Sequence, residues 1–259
     1  MQPTDVIFKA MKEQGHQLGE GRTRRIFKDR NSKILFVAHL DTVCQPRMDK
    51  LDMQGRQHGA GFDDRLGCKI AWDLGIELGC DVLLTDLEES GDSTAQHHTL
   101  KNYNWICEFD RAGEDVVTYG MESERWLAVL GKYWKVNNGM FSDLSFMKTE
   151  CCAMNLGISY QHAHSENSYY DVALVNQQVN LFRQFFKKQN RNKYVADPNR
   201  RDYCMSAGYG FGNYVGGYYE DEDEYGCCCV CGNWAESSIY ELHLCESCVD
   251  RMVEAEIRI

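Results

Sequence analysis

Lys33-Ile34-Leu35-Phe36-Val37-Ala38-His39-Leu40-Asp41 decides the fold. Its apolar run is too short for a helix, is rich in strand formers, and stops abruptly at a histidine and an aspartate. Similar runs recur at Val82-Leu83-Leu84, Trp105-Ile106-Cys107, Val116-Val117 and Ala153-Met154-Asn155-Leu156. Near-continuous apolarity without alternation is the pattern of a strand buried on both faces. Helical stripes lie between the runs: Leu66, Ile70, Leu74 and Leu78 are spaced by four, and Val175, Val179, Phe182 and Phe186 form a second face. Residues 4–14 read as a short amphipathic helix with Thr4 as its cap. Strands alternating with helices predict an α/β fold, a mostly parallel central sheet with helices on both faces.

Outward from this frame, the chain of 259 residues has room for one such domain over residues 1–190 and a small appendage. Residues 191–226 combine repeated Gly and Tyr with the acidic run Glu220–Glu224 and lack apolar periodicity, which predicts a linker. The net charge is −11 and no segment is basic, so a phosphate backbone has no electrostatic footprint and nucleic acid is not expected as a partner. No apolar run reaches membrane-spanning length, and the first twenty residues lack the apolar core of a signal peptide. The expectation is a cytoplasmic protein with no membrane association. Six of the thirteen cysteines crowd into residues 227–248, which in a reducing compartment points to metal rather than disulfides.

In an open α/β sheet the crevice lies at the carboxyl ends of the strands. There the runs end in His39-Leu40-Asp41, in Asp86-Leu87-Glu88-Glu89 and in Glu108-Phe109-Asp110. Gly59-Ala60-Gly61-Phe62-Asp63-Asp64 opens the Leu66 helix, and His162-Ala163-His164 follows downstream. Each piece alone has an ordinary explanation: an Asp pair at a helix start is usually a cap. All of them falling at strand ends or helix starts is not ordinary. Two metals sharing a bridging carboxylate need a His and a carboxylate each, plus a free carboxylate as proton acceptor. One Asp of the Asp63-Asp64 pair, His39, His164, Asp110 and Glu89 supply the ligands and leave Glu88 over. Mixed His and carboxylate donors suit Zn2+, with Co2+ or Mn2+ as substitutes.

The pattern over residues 33–175 resembles the co-catalytic zinc exopeptidases, the group of peptidase T, carboxypeptidase G, acetylornithine deacetylase and the glutamyl and leucyl aminopeptidases. The matching motifs are Ala38-His39-Leu40-Asp41-Thr42-Val43, Gly61-Phe62-Asp63-Asp64-Arg65-Leu66-Gly67, Glu88-Glu89-Ser90-Gly91, Phe109-Asp110 and His164-Ser165-Glu166. Phe141-Ser142-Asp143-Leu144-Ser145-Phe146 followed by Asn155-Leu156-Gly157-Ile158 is similar too. The resemblance implies that His39 and Asp110 hold one zinc, Glu89 and His164 the other, and Asp63 bridges. It makes Glu88 the general base and Asp41 the residue that orients His39. His164 is preferred to His162 because its His-Ser-x-Asn context matches the family. Only 53 residues separate Asp110 from His164, too few for the separate lid and dimerisation domain of peptidase T-like members.

In the tail, Cys228-x-x-Cys231 and Cys245-x-x-Cys248 are 13 residues apart, the spacing of a zinc ribbon over 227–259 with one structural Zn2+. Being acidic, it is expected to dock a protein partner. Two readings compete. The first is a hydrolase that cleaves a small peptide or N-acyl amino acid. The alternative is a catalytically weak adaptor that uses the fold to present the ribbon. The complete ligand set, Glu88 included, favours the first. Arg65, Arg111 and Tyr160 are candidate substrate contacts.

Overall fold

Alternation along β3 (Ile34–His39) explains the run that opened the sequence. The computed structural model describes residues 9, 11–139 and 141–199 together with the backbone of 237–239 and 242–244. In it Ile34, Phe36 and Ala38 join one apolar cluster, while Leu35 and Val37 join another on the opposite face. A strand covered on both sides has no polar positions to spare until its end. β6 (Asp81–Thr85) and β7 (Trp105–Arg111) pair with β3 in parallel, and β9 (Ala153–Gly157) pairs in parallel with β7. β1 (His16–Leu18), β2 (Arg25–Lys28) and β8 (Val116–Val117) add antiparallel edges, giving the order β1-β2-β6-β3-β7-β9-β8.

Three α-helices, α1 (Phe62–Leu78), α2 (Glu124–Leu130) and α3 (Val172–Gln189), contribute to the same cluster as Phe36. Phe36, Trp105, Phe109, Trp126, Phe182 and Phe185 interlock edge-to-face beneath the sheet, with centroids 5.1–5.8 Å apart in pairs such as Phe109–Phe182 and Trp126–Phe185. Truncating one of these, such as Phe182, costs about 3–5 kcal/mol. The other face departs from the expected second helical layer. There, among the described residues, the sheet is met by 3-10 turns and loops carrying Ala95, Tyr103, Met121 and Leu144. Of the segments crossing it, 86–104 is dense in Ser, Asp and Thr and has no helical stripe, and 118–152 gives its one α-helix to the opposite cluster.

A second, antiparallel sheet was not foreseen. β4 (Arg47–Leu51), β5 (Arg56–Ala60), β10 (Tyr160–Gln161) and β11 (Ser168–Asp171) pair in the order β10-β11-β5-β4. Of the helix expected over residues 4–14, residues 11–14 are helical, with Met11 buried, and residues 1–8 and 10 lie outside the described part. The packed unit runs on past Gln189, where linker was expected: Tyr194 is buried against Trp126, and its carbonyl accepts from Cys152 N at 2.9 Å. The chain divides into two units, and the second carries the hairpin β12 (Ser237–Ile239) and β13 (Leu242–Leu244). Residues 200–236 and 245–259 lie outside the described part, and with them Cys228, Cys231, Cys245 and Cys248. No helix among the described residues is long and apolar enough to cross a membrane.

Candidate metal centre

Three parallel strands deliver their terminal residues to one place. His39 is the last residue of β3 and is fully buried. Its Nδ1 lies 3.0 Å from the Asp41 carbonyl oxygen, to which it donates in the tautomer that leaves Nε2 free. Nε2 faces Asp63 Oδ1 at 3.2 Å, Asp110 Oδ1 at 3.4 Å and Glu88 Oε2 at 3.7 Å. Asp110 comes from the end of β7, where the Asn155 side chain accepts from its backbone N–H and donates to its carbonyl. The expected role of Asp41 broadens. Its carboxylate is 3.5 Å from His39 Nδ1, and it also accepts the N–H groups of Glu88 (3.3 Å) and Glu89 (3.0 Å). It therefore ties the β3 end to the turn holding both glutamates.

The Asp63-Asp64 pair divides its work across a cis peptide bond. Asp64 is fully buried, with one oxygen on His39 N and the other on Gly67 N, so it caps the regular part of α1 rather than facing outward. Gly67 permits this approach: a Cβ there would collide with the Phe109 carbonyl and the Asp64 carboxylate. Asp63 keeps both oxygens toward the centre, Oδ1 to His39 and Oδ2 to His164 Nε2, each at 3.2 Å. His164, on the β10–β11 loop, also reaches Glu89 Oε2 at 2.8 Å. His162 turns away and packs its ring on Tyr169 at 5.6 Å. Of the candidate contacts, Tyr160 approaches Asp110 Oδ1 at 3.4 Å, and Arg111 is committed to Asp115.

The donor set fits divalent cations. Ligand atoms of His39, Asp63 and Glu89 lie within 4.8 Å of one another, as do those of His39, Asp64 and Asp110. Glu89 Oε1 is buried and has no partner among the described residues. The shared charge shifts the pKa values of the cluster. Burial, then Asp110, pushes Glu88 up to about 9, and burial pushes Asp110 up to about 7. Burial alone would depress His39, yet Asp110, Asp41 and Asp63 carry it well above its ordinary value. Burial would raise Asp63, but hydrogen bonds from His164 and His39 hold it far below the usual carboxylate range. Protons thus occupy a cluster of carboxylates that cations would neutralise better.

No protein-family model matches the chain, and no curated protein matches it in sequence. Solved structures do match. An aminopeptidase from the archaeon Desulfurococcus kamchatkensis superposes with a TM-score of 0.53 at 12% identity, over 82% of this chain and 93% of that one. A tripeptidase from Staphylococcus aureus gives 0.52 at 10% identity, over 73% and 91%. The TET1 peptidase of Pyrococcus horikoshii gives 0.50 at 12%, over 69% and 91%. At such identities the likeness is one of fold: the chain has the mixed α/β fold of these peptidases, with its central sheet largely parallel.

Proposed function

We propose that the chain is a two-metal peptidase acting at the amino end of small peptides. The observation that carries this reading is Asp63, whose two carboxylate oxygens face two different imidazoles at the same 3.2 Å, each imidazole with a further carboxylate beside it. His39 with Asp110, and Glu89 with His164, would hold one ion each, with Asp63 between. When bound, such a pair of ions polarises a carbonyl as a Lewis acid and supplies hydroxide near neutral pH. Zinc is the proposed metal, with cobalt or manganese as functional substitutes.

The chain's own groups do the rest. Glu88 Oε2 lies 3.7 Å from His39 Nε2, and the residue's backbone is held by Asp41, so its carboxylate faces the centre as the group left over. It takes the proton of the attacking water at Oε2 and returns it to the leaving amine. Asp41 orients His39 and the glutamate turn together. The end of the substrate that is recognised follows from charge. Arg22, Arg24, Arg47 and Arg111 already pair with Asp92, Asp86, Glu166 and Asp115. A C-terminal carboxylate finds these cations engaged, which favours recognition of the amino end.

Cys228, Cys231, Cys245 and Cys248 are proposed to hold a separate structural zinc; support comes from their spacing and from the β12–β13 hairpin lying between the two pairs in sequence. Metal analysis of the full chain tests both readings. Three zinc ions per chain are expected, falling to two in a Cys228→Ser/Cys245→Ser variant, with release of N-terminal residues from unblocked but not N-acetylated peptides. Zinc lost completely in the cysteine variant, with no loading by added zinc or cobalt, would remove the dinuclear site. Preferential cleavage of N-acetylated substrates would reverse the assignment of the recognised end.

A further inference from the structure

Glu88 and Glu89 sit on a loop, residues 86–92, whose backbone takes left-handed values at Leu87 (φ 76°) and Gly91 (φ 69°). Such a loop does not hold two carboxylates on target by itself. Its tip hangs from Asp41 through the N–H groups of Glu88 and Glu89. Its neck is closed by Thr94, whose hydroxyl accepts from Asp86 N at 2.9 Å and whose own N–H reaches the Asp86 carbonyl at 3.0 Å. A further group grips both ends of the loop and comes from a distant part of the chain.

Asp143 is fully buried on the 3-10 turn Asp143–Phe146. One carboxylate oxygen accepts from the hydroxyl of Thr85, the last residue of β6, and the other from the hydroxyl of Ser93, the residue that caps the following turn. Thr85 and Ser93 flank residues 86–92 on either side. Both partners are hydroxyls: the Ser93 oxygen already accepts from Ala95 N at 2.9 Å, so its proton is free for Asp143, whereas the single proton of the Thr85 hydroxyl is shared between Asp143 and the Ala38 carbonyl at 3.1 Å. A carboxylate offers each hydroxyl its own oxygen, and when it is ionised such O–H to carboxylate bonds are about twice as strong as neutral ones.

We infer that Asp143 is a positioning residue: from outside the metal centre it clamps both ends of the loop that aims Glu88 and Glu89. The clamp is a matter of geometry; its consequence for catalysis rests on the two-metal reading above. An asparagine at this position would keep at most two neutral hydrogen bonds, its carbonyl accepting from Ser93 and its amide donating to the Thr85 oxygen once that hydroxyl turns to the Ala38 carbonyl.

Amide hydrogen exchange on the full-length, chelated protein tests the clamp without reference to metal. In Asp143→Asn the segment 86–92 should exchange at least about ten-fold faster, the loss of one or more charge-assisted hydrogen bonds, while β3 and β7 stay within about two-fold. Thr85→Val and Ser93→Ala should each give part of that change and add little to Asp143→Asn. These two also carry the test if Asp143→Asn fails to fold. Acceleration spread evenly over the sheet, or none at 86–92, overturns the inference and makes Asp143 an ordinary buried hydrogen-bond partner. A second readout is cobalt titration. The Glu89–His164 ion should bind about 10–100-fold more weakly in Asp143→Asn and also more weakly in Ser93→Ala, which leaves the Asp143 charge in place, with kcat falling more than KM rises. A wild-type chain that binds no pair of ions defeats the functional reading, and the exchange measurement still decides the clamp.

Discussion

The two imidazoles of the centre stand on unlike scaffolds. His39 ends a strand buried on both faces, its side chain is wholly enclosed, and its ring is fixed by the Asp41 carbonyl. His164 sits on a loop between two short strands of the small antiparallel sheet, and its side chain is 56% exposed. Asp63 joins the halves. One half of the centre is thus built into the core, and the other is brought to it by a surface loop. On the proposed two-metal reading, that arrangement would place firm metal retention on the His39 side and exchange, access and product release on the His164 side.

The largest effect separates chemistry from binding. Glu88 is attached to the buried half through β6 and Asp41 and, on the proposed reading, is not a ligand. Glu88→Gln should therefore lower kcat by about 10²–10⁴-fold with metal content unchanged. Peptide hydrolysis and metal analysis on the same sample measure it. A variant that loses an ion along with activity would show Glu88 to be a ligand and would blur the division between the halves.

Next comes removal of each imidazole. His164→Ala removes a half-exposed ring but leaves the nearly buried Asp63 and Glu89 carboxylates without it, and should cost the chelated protein about 1 kcal/mol. It should retain one ion of the pair. His39→Ala removes a fully buried ring that has Asp63 and Asp110 around it. It should lower the Tm of the chelated protein clearly more than His164→Ala and lose the ion that the other variant keeps. Equal stability losses would mean that burial does not distinguish the two scaffolds.

The same contrast governs what the sequence disclosed. The core half was legible because apolar runs such as Ile34–Ala38 have nothing polar until the functional residue, so strand and ligand mark each other. The small sheet was not legible. Arg56-Gln57-His58-Gly59-Ala60 is polar, β10 is two residues long, and β4 carries a bulge between Met48 and Lys50 that breaks alternation. Its candidate ligand, His164, was singled out through the His-Ser-x-Asn context and not through any strand pattern. The hydroxyl clamp around Asp143 gave no signal either. Thr85 and Ser93 are commonplace in sequence, and only folding brings them to one carboxylate.

A pH series on the chelated protein probes the charge trapped in the buried half. Glu88, raised to about 9 from 4.5, and Asp110, raised to about 7 from 3.8, are pushed up first by burial. His39 is raised as well, by Asp110, Asp41 and Asp63 against the effect of burial. Each of the three makes the folded state hold more protons than the unfolded one, so each subtracts stability as pH rises, over a window from about 4 to about 9. Asp63 has the opposite sign, and its contribution is lost only as pH falls below about 4. Tm without metal should therefore decline from pH 5 to pH 8. Saturating zinc should flatten or reverse the slope, because ions then replace the protons. A Tm that rises over this range without metal would mean that other cations already balance the carboxylates.

The smallest effect tests how the exposed half is tethered. Arg47 of β4 reaches across to the His164 loop, where its guanidinium pairs with the Glu166 carboxylate and donates to the Glu166 carbonyl at 2.6 Å. It also pairs with Asp49 at 3.0 Å. The Glu166 side chain is 62% exposed, so solvent and salt weaken the pair, and Arg47→Ala should cost no more than about 1 kcal/mol of stability. The loop it restrains holds one ligand of one ion. The His164-side affinity should therefore drop by no more than about five-fold, and the drop should shrink further at high salt. The His39 side should not respond at all, because none of its ligands lies on that loop. Parallel zinc titrations at low and high salt would measure this, and an equal loss at both metal positions would mean that the small sheet also supports the buried half.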